Sequence, residues 1–174
     1  MGNQEATIFL VDDDELYLLR LKDHLQEKLY FKAKIHTYTS GEECLKNMDL
    51  SPDIVVLDYY FNPANEDTLY DESAPRPMNG LDLIKQIKEK KPNVHLIMLS
   101  METDVEVANT AIKEGAKDYI IKYEYAPIQL QYLINNIVLN RLFYHKVNYW
   151  KWGAIAVAIV LICIMLYLAF GSKM

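Results

Sequence analysis

With 174 residues, 18 basic and 24 acidic, and a net charge of −6, the chain has material for one well-buried domain and little more. Residues 150–174 hold only Lys151 and Lys173, so the first 149 residues carry 16 basic and 24 acidic side chains, a balance of −8 that makes nucleic acid a poor partner. Two cysteines, Cys44 and Cys163, exclude a disulfide framework and fit a reducing compartment.

Taken in chain order, the pattern alternates between short β-favouring runs and amphipathic stretches. ATIFLV (6–11) is a short apolar run ending in acids, and 14–31 places Leu16, Leu19, Leu21, Leu25 and Leu29 near helical spacing. KAKIHTYT (32–39) alternates like a half-buried strand, and 40–48 opens as a helix with Ser40 as cap and an acidic first turn. PDIVVLD (52–58) and VHLIMLS (94–100) are continuous apolar runs, as parallel strands covered on both faces require. Helices are expected at 80–91 and 103–116, the latter with Gly115 near its end, and KDYIIK (117–122) supplies a fifth strand. A last helix starts at Pro127 and runs to about 149. Five strands alternating with five helices predict a doubly wound α/β domain over 1–149 with a parallel sheet. The stretch 59–79 is long for a strand–helix loop, which usually has about 2–6 residues, and carries Pro63, Pro75, Pro77 and four acids. It reads as a disordered surface insertion, or as a lid or partner-recognition loop.

Residues 150–174 form a separate element. From Trp152 to Ser172 no residue is charged, and Trp150, Trp152 and Tyr167 sit where an aromatic belt would. At about 1.5 Å per residue, some 20 apolar residues cross a ~30 Å hydrocarbon core, so the run predicts a transmembrane tail anchor. Arg141, Lys146 and Lys151 precede it and only Lys173 follows, which places the N-terminal part in the cytoplasm. MGNQEATIFLVDDD lacks a signal peptide's basic region, and Ala6 breaks the myristoylation pattern.

In such sheets ligands bind beyond the strand C-termini, at the switch in strand order. There the sequence puts Asp12 and Asp13 after the first strand, and Asp58, Ser100 and Lys122 as the ends of the third, fourth and fifth. Converging carboxylates suit a hard divalent cation such as Mg²⁺. A remaining carboxylate can attack an activated phosphoryl group, whose oxygens an ammonium and a hydroxyl would neutralise. Any one of these residues alone is unremarkable: Asp12 and Asp13 could simply cap the first helix. The ordered set of four strand ends is the specific signal.

Those residues resemble the receiver domain of two-component response regulators, over about Thr7 to Asn148. FLVDDD is similar to the family's first strand with its acidic pair, DIVVLD to the phosphoacceptor strand, and PMNGLDLI to its Pro-x-x-Gly signature with Gly80 as the glycine. The resemblance implies the flavodoxin-like strand order 2-1-3-4-5. It implies Asp58 as phosphoacceptor, and Mg²⁺ on Asp12, Asp13, Asp58 and the Tyr60 backbone carbonyl. Ser100 and Lys122 would bind the phosphoryl group, with Tyr119 as aromatic switch. Tyr60 and Glu102 would tune autodephosphorylation. The donor would be a sensor histidine kinase or a histidine phosphotransfer protein, and the readout the face made by helix 4, strand 5 and helix 5, which also offers a homodimer surface. The loop between Asp58 and Pro77 is longer than the family's, and Tyr123 stands where the family has Pro, which argues against a cis peptide there. The expected protein is a membrane-tethered receiver that catalyses its own phosphorylation and dephosphorylation rather than a turnover enzyme. Two alternatives stay open. One is a phosphorylation-independent scaffold. The other is a haloacid-dehalogenase-type phosphatase, for which Asp12 and Asp14 supply an Asp-x-Asp but only Glu124 follows Lys122 as an acid.

Overall fold

The computed structural model describes residues 5–61 and 78–171, with side chains described up to Arg141 and at scattered positions beyond. The insertion expected at 59–79 therefore falls mostly outside the described residues. The chain divides into two compact units, Met1–Asn135 and Asn136–Met174.

The first unit holds a five-stranded parallel sheet in the order β2-β1-β3-β4-β5: β1 Ala6–Val11, β2 Ala33–Tyr38, β3 Ile54–Leu57, β4 His95–Ser100 and β5 Asp118–Ile121. Its helices are α1 Glu15–Lys28, α2 Gly41–Lys46, α3 Gly80–Lys90 and α4 Val105–Glu114, followed by the first turns of α5, Ala126–Gly171. The expected strand order is thus observed. It follows from the pattern of burial: Phe9 pairs with Val55 and Val11 with Leu57, and all four join a core with Leu83, Ile84, Ile87 and Ala111 of α3 and α4. The alternate residues Ile8, Leu10, Ile54 and Val56 point to the other face and are equally buried. A sheet apolar on both faces is stable only between two helical layers. On that second face, Leu18, Leu21 and Leu25 of α1 and Leu130 and Ile134 of α5 are buried. Gln131 Nε2 donates to the Lys28 carbonyl and Asn135 Oδ1 accepts from Tyr30 N, tying α5 to the end of α1.

Helix starts follow the capping chemistry. Ser40 accepts from Glu43 N, as expected, and Asn79 and Asp82 form a reciprocal capping box at α3. At α1 the cap is Asp14, which accepts from Tyr17 N at 2.9 Å, so the alternative reading of Asp12 and Asp13 as mere caps falls away. That cap sets the helix phase, so Leu18, Leu21 and Leu25 face inward while Leu16 and Leu19 are exposed, against the spacing read from the sequence. Gly115 ends α4 with a φ of 117°, a conformation that strains any residue with a Cβ. Every described peptide bond is trans, including the one before Tyr123. Burial, then the charge of Glu43, pushes the Cys44 thiol up to about 12, which leaves it inert.

In the second unit α5 continues to Gly171. Among the described residues no helix is long and apolar enough to cross a membrane. The span expected over 153–170 rests in large part on residues whose side chains lie outside the described set.

Candidate functional site

Strand register brings the polar residues to one level. Val11 pairs with Leu57 and Ser100 with Ile121, so Asp12, Asp58 and Lys122 each stand one step beyond a strand end. The ladder extends through them: Asp12 N donates to the Tyr38 carbonyl, Asp58 N to the Val11 carbonyl at 2.9 Å and Lys122 N to the Ser100 carbonyl at 2.8 Å. This backbone is as rigid as the sheet, and rigid placement is what a reacting constellation needs.

Lys122 is the hub. Its Nζ lies 2.6 Å from Asp12 Oδ2 and 2.6 Å from Asp58 Oδ2. Burial works against its ammonium, but the two carboxylates outweigh burial and raise its pKa above the ordinary lysine value. Asp12, only 4 % exposed, behaves oppositely. Burial pushes its carboxyl up to about 6 although Lys122 pulls it down. Asp12 Oδ1 also accepts from Asp14 N, and Asp58 Oδ1 accepts from Tyr59 N at 2.6 Å.

Asp13 completes an acidic cluster: one carboxylate oxygen from each of Asp12, Asp13 and Asp58 lies within 4.8 Å of the others. Two oxygens opposite each other on Mg²⁺ stand about 4.2 Å apart, so a small side-chain rotation would let the cluster hold such an ion. Hard oxygen donors and a desolvated carboxylate with a raised pKa fit a divalent cation.

The residues around the acids and Lys122 also come together. Ser100, 1 % exposed, accepts from Glu102 N at 3.2 Å. Tyr119 Oη donates to the Glu102 carbonyl at 2.7 Å. The Tyr59 and Tyr60 rings meet edge to face, their centroids 4.4 Å apart. All the side chains singled out from the sequence therefore gather at one end of the sheet. The phosphatase alternative needs Asp14 beside Asp12 as a reactive acid, but Asp14 is engaged as the α1 cap.

Two neighbours join the site: Gly80, which the resemblance named as the signature glycine, and Tyr17, which was missed in the sequence. Gly80 N donates to the Tyr59 carbonyl at 2.7 Å, and a Cβ at Gly80 would collide with the Asp58 carbonyl oxygen, so the α3 start is pressed against the acceptor loop. Tyr17, in the first turn of α1, lies under Lys122, whose Nζ is 4.9 Å from the ring centroid. The one signal for it was its place three residues after Asp14.

Known proteins resemble this chain. Residues 67–135 match the response regulator receiver domain. Chemotaxis protein CheY of Thermotoga maritima is 34% identical over 116 residues, which cover 66% of this chain and 83% of that protein. Response regulator SaeR of Staphylococcus aureus is 29% identical over 139 residues, 80% of this chain but 54% of SaeR, so the chain spans about half of that relative. The BeF3-activated receiver domain of DrrB, a Thermotoga maritima protein, superposes with a TM-score of 0.61 at 25% identity, covering 78% of this chain and 98% of that one. The chain belongs to the response regulator receiver family of two-component systems.

Proposed function

We propose that this protein accepts a phosphoryl group from a phosphohistidine donor onto Asp58, in the cytoplasm and at a membrane to which residues 152–172 anchor it. The carrying observation is Lys122, held at 2.6 Å from Asp58 in a site that also gathers Asp12, Asp13 and Ser100. In the transfer an Asp58 oxygen attacks phosphorus, the donor's phosphorus–nitrogen bond breaks, and the histidine ring leaves as the acyl phosphate forms. Asp12, Asp13, Asp58 and the Tyr60 carbonyl would hold Mg²⁺, which neutralises charge on the phosphoryl oxygens. Lys122 and Ser100 meet the remaining oxygens. Drawing the Ser100 hydroxyl toward the phosphoryl group releases Glu102 N, and Tyr119, held by the Glu102 carbonyl, then turns inward and changes the α4–β5–α5 face that partners read. Tyr60, beside Tyr59 after the acceptor, and Glu102, beside Ser100, would govern water's approach to the acyl phosphate. The donor is a sensor histidine kinase or a histidine phosphotransfer protein.

Intact mass of the full chain in detergent, incubated with acetyl phosphate, tests the reading. One phosphoryl group should appear with Mg²⁺, and none with EDTA or in Asp58→Asn. Addition that persists in Asp58→Asn would remove Asp58 as the acceptor.

The anchor rests on a separate observation. Ile159, Val160, Leu161 and Ile162 are consecutive, each more than half exposed, and 100° steps carry them around the whole helix. A helix apolar on every face needs an apolar surrounding. The chain should float with phosphatidylcholine vesicles and resist alkaline extraction. Val160→Arg should weaken insertion by about 3 kcal/mol. Release of the unsubstituted chain at alkaline pH would rule out the span.

A further inference from the structure

We propose that Tyr17 is a positioning residue for Lys122: its ring face carries the ammonium and aims it at Asp58 during phosphoryl transfer. The inference rests on the phosphoacceptor reading above and adds a residue to that site. Lys122 Nζ lies 4.9 Å from the Tyr17 ring centroid, within the ~6 Å reach of a cation–π contact.

The ring's place is set by backbone chemistry. Asp14 Oδ1 accepts from Tyr17 N at 2.9 Å while Asp14 N donates to Asp12 Oδ1 at 3.1 Å, so one cap ties both Asp12 and the tyrosine. The Tyr17 hydroxyl is buried and has no hydrogen-bond partner. Burying a bare hydroxyl is unfavourable, and an aliphatic side chain would wall the site without it. The ring, and not the hydroxyl, is what the site uses.

A neutral support answers a particular need. Both anions that hold Lys122 change during the reaction: Asp58 becomes an acyl phosphate, and Asp12 is shared with a cation. An aromatic face competes for neither proton nor metal, so its hold on the ammonium persists while the carboxylates are drawn away.

The test compares the full chain in detergent with Tyr17→Phe and Tyr17→Leu, and uses Asp58→Asn as control. Two readouts are needed. The first is the phosphorylation rate against acetyl phosphate concentration with Mg²⁺. The second is the Lys122 ammonium signal in ¹⁵N-lysine-labelled protein, assigned by its loss in Lys122→Met. Tyr17→Leu should lower the saturated rate about two- to thirty-fold with the half-saturating donor concentration unchanged. It should also move the Lys122 signal out of the ring current. Tyr17→Phe should keep both the rate and the signal. If Tyr17→Leu unfolds, Tyr17→Met takes its place. A Tyr17→Phe variant as slow as Tyr17→Leu would put the effect on the hydroxyl and overturn the proposal, as would a Tyr17→Leu variant as fast as the unsubstituted chain. If the unsubstituted chain takes up no phosphoryl group, the receiver reading fails, and an unmoved Lys122 signal in Tyr17→Leu separately defeats the ring's role.

Discussion

Replacing Lys122 by methionine should destabilise the metal-free protein by about 3 kcal/mol at pH 8, because it strands two carboxylates that now share one ammonium. Methionine keeps much of the apolar stem, so the loss reports the charge and not the packing. The side chains of Asp12 and Asp58 are 6% and 12% exposed, so water cannot replace the missing partner. The deficit should depend on pH with a definite sign. Burial already raises Asp12 from 3.8 to about 6 in the folded protein, against the pull of Lys122. Between those two values the folded state binds more protons than the unfolded one, so stability falls as pH rises through the window and returns on acidification. Without Lys122 the folded value climbs further, which widens the window upward. Urea denaturation of Lys122→Met should therefore show a larger deficit at pH 8 than at pH 5. Mg²⁺ at pH 8 should restore more stability to the variant than it adds to the unsubstituted chain, since a cation supplies the missing positive charge. A deficit indifferent to both pH and Mg²⁺ would mean that Lys122 contributes packing alone.

The sheet was legible because its strands are buried on both faces. Runs such as IVVL have no polar side to confuse their period, and the polar residues that end them mark the binding edge. Asp58, Ser100 and Lys122 could be placed from strand ends alone because parallel register aligns those ends. What escaped was set by phase and by three-dimensional closeness. Leu16, Leu18, Leu19 and Leu21 fit two helical faces equally well, and only the choice of Asp14 as cap decides which face turns inward. Asp12 and Asp13 were equally good caps on paper, but strand register carries Asp12 to Lys122 instead. Tyr17 and Lys122 are far apart in sequence, so no local pattern could announce their contact. The resemblance named Gly80, but only the packing gives its physical reason.

Gly80→Ala should be among the most damaging single substitutions in the described part of the chain. Its Cβ would sit well inside the van der Waals contact distance of the Asp58 carbonyl oxygen, 2.9 Å from Tyr59 Cα and 3.1 Å from Met98 Cε. Two of those neighbours are backbone of the acceptor loop, and Gly80 N itself donates to the Tyr59 carbonyl, so relief requires moving the loop or the start of α3. Overpacking of this kind costs about 1–3 kcal/mol, and the upper end applies where backbone must shift. The functional loss should be larger, because a displacement of about 1 Å at a reacting group lowers rates on the order of a hundredfold. Gly41→Ala is the contrast. There the Cβ would meet Met78 Sδ at 2.7 Å, the far part of a flexible side chain that can swing aside. Urea denaturation and acetyl-phosphate labelling of the two variants should therefore separate them, with Gly41→Ala near the unsubstituted chain in both and Gly80→Ala impaired in both. If Gly80→Ala kept its stability but lost labelling, the loop would have moved without strain. If it kept both, the close approach of α3 to Asp58 would not constrain the site. A Gly80→Ala protein that is destabilised and poorly labelled, beside an unaffected Gly41→Ala, would tie the glycine to one physical cause: backbone-to-backbone contact at the acceptor.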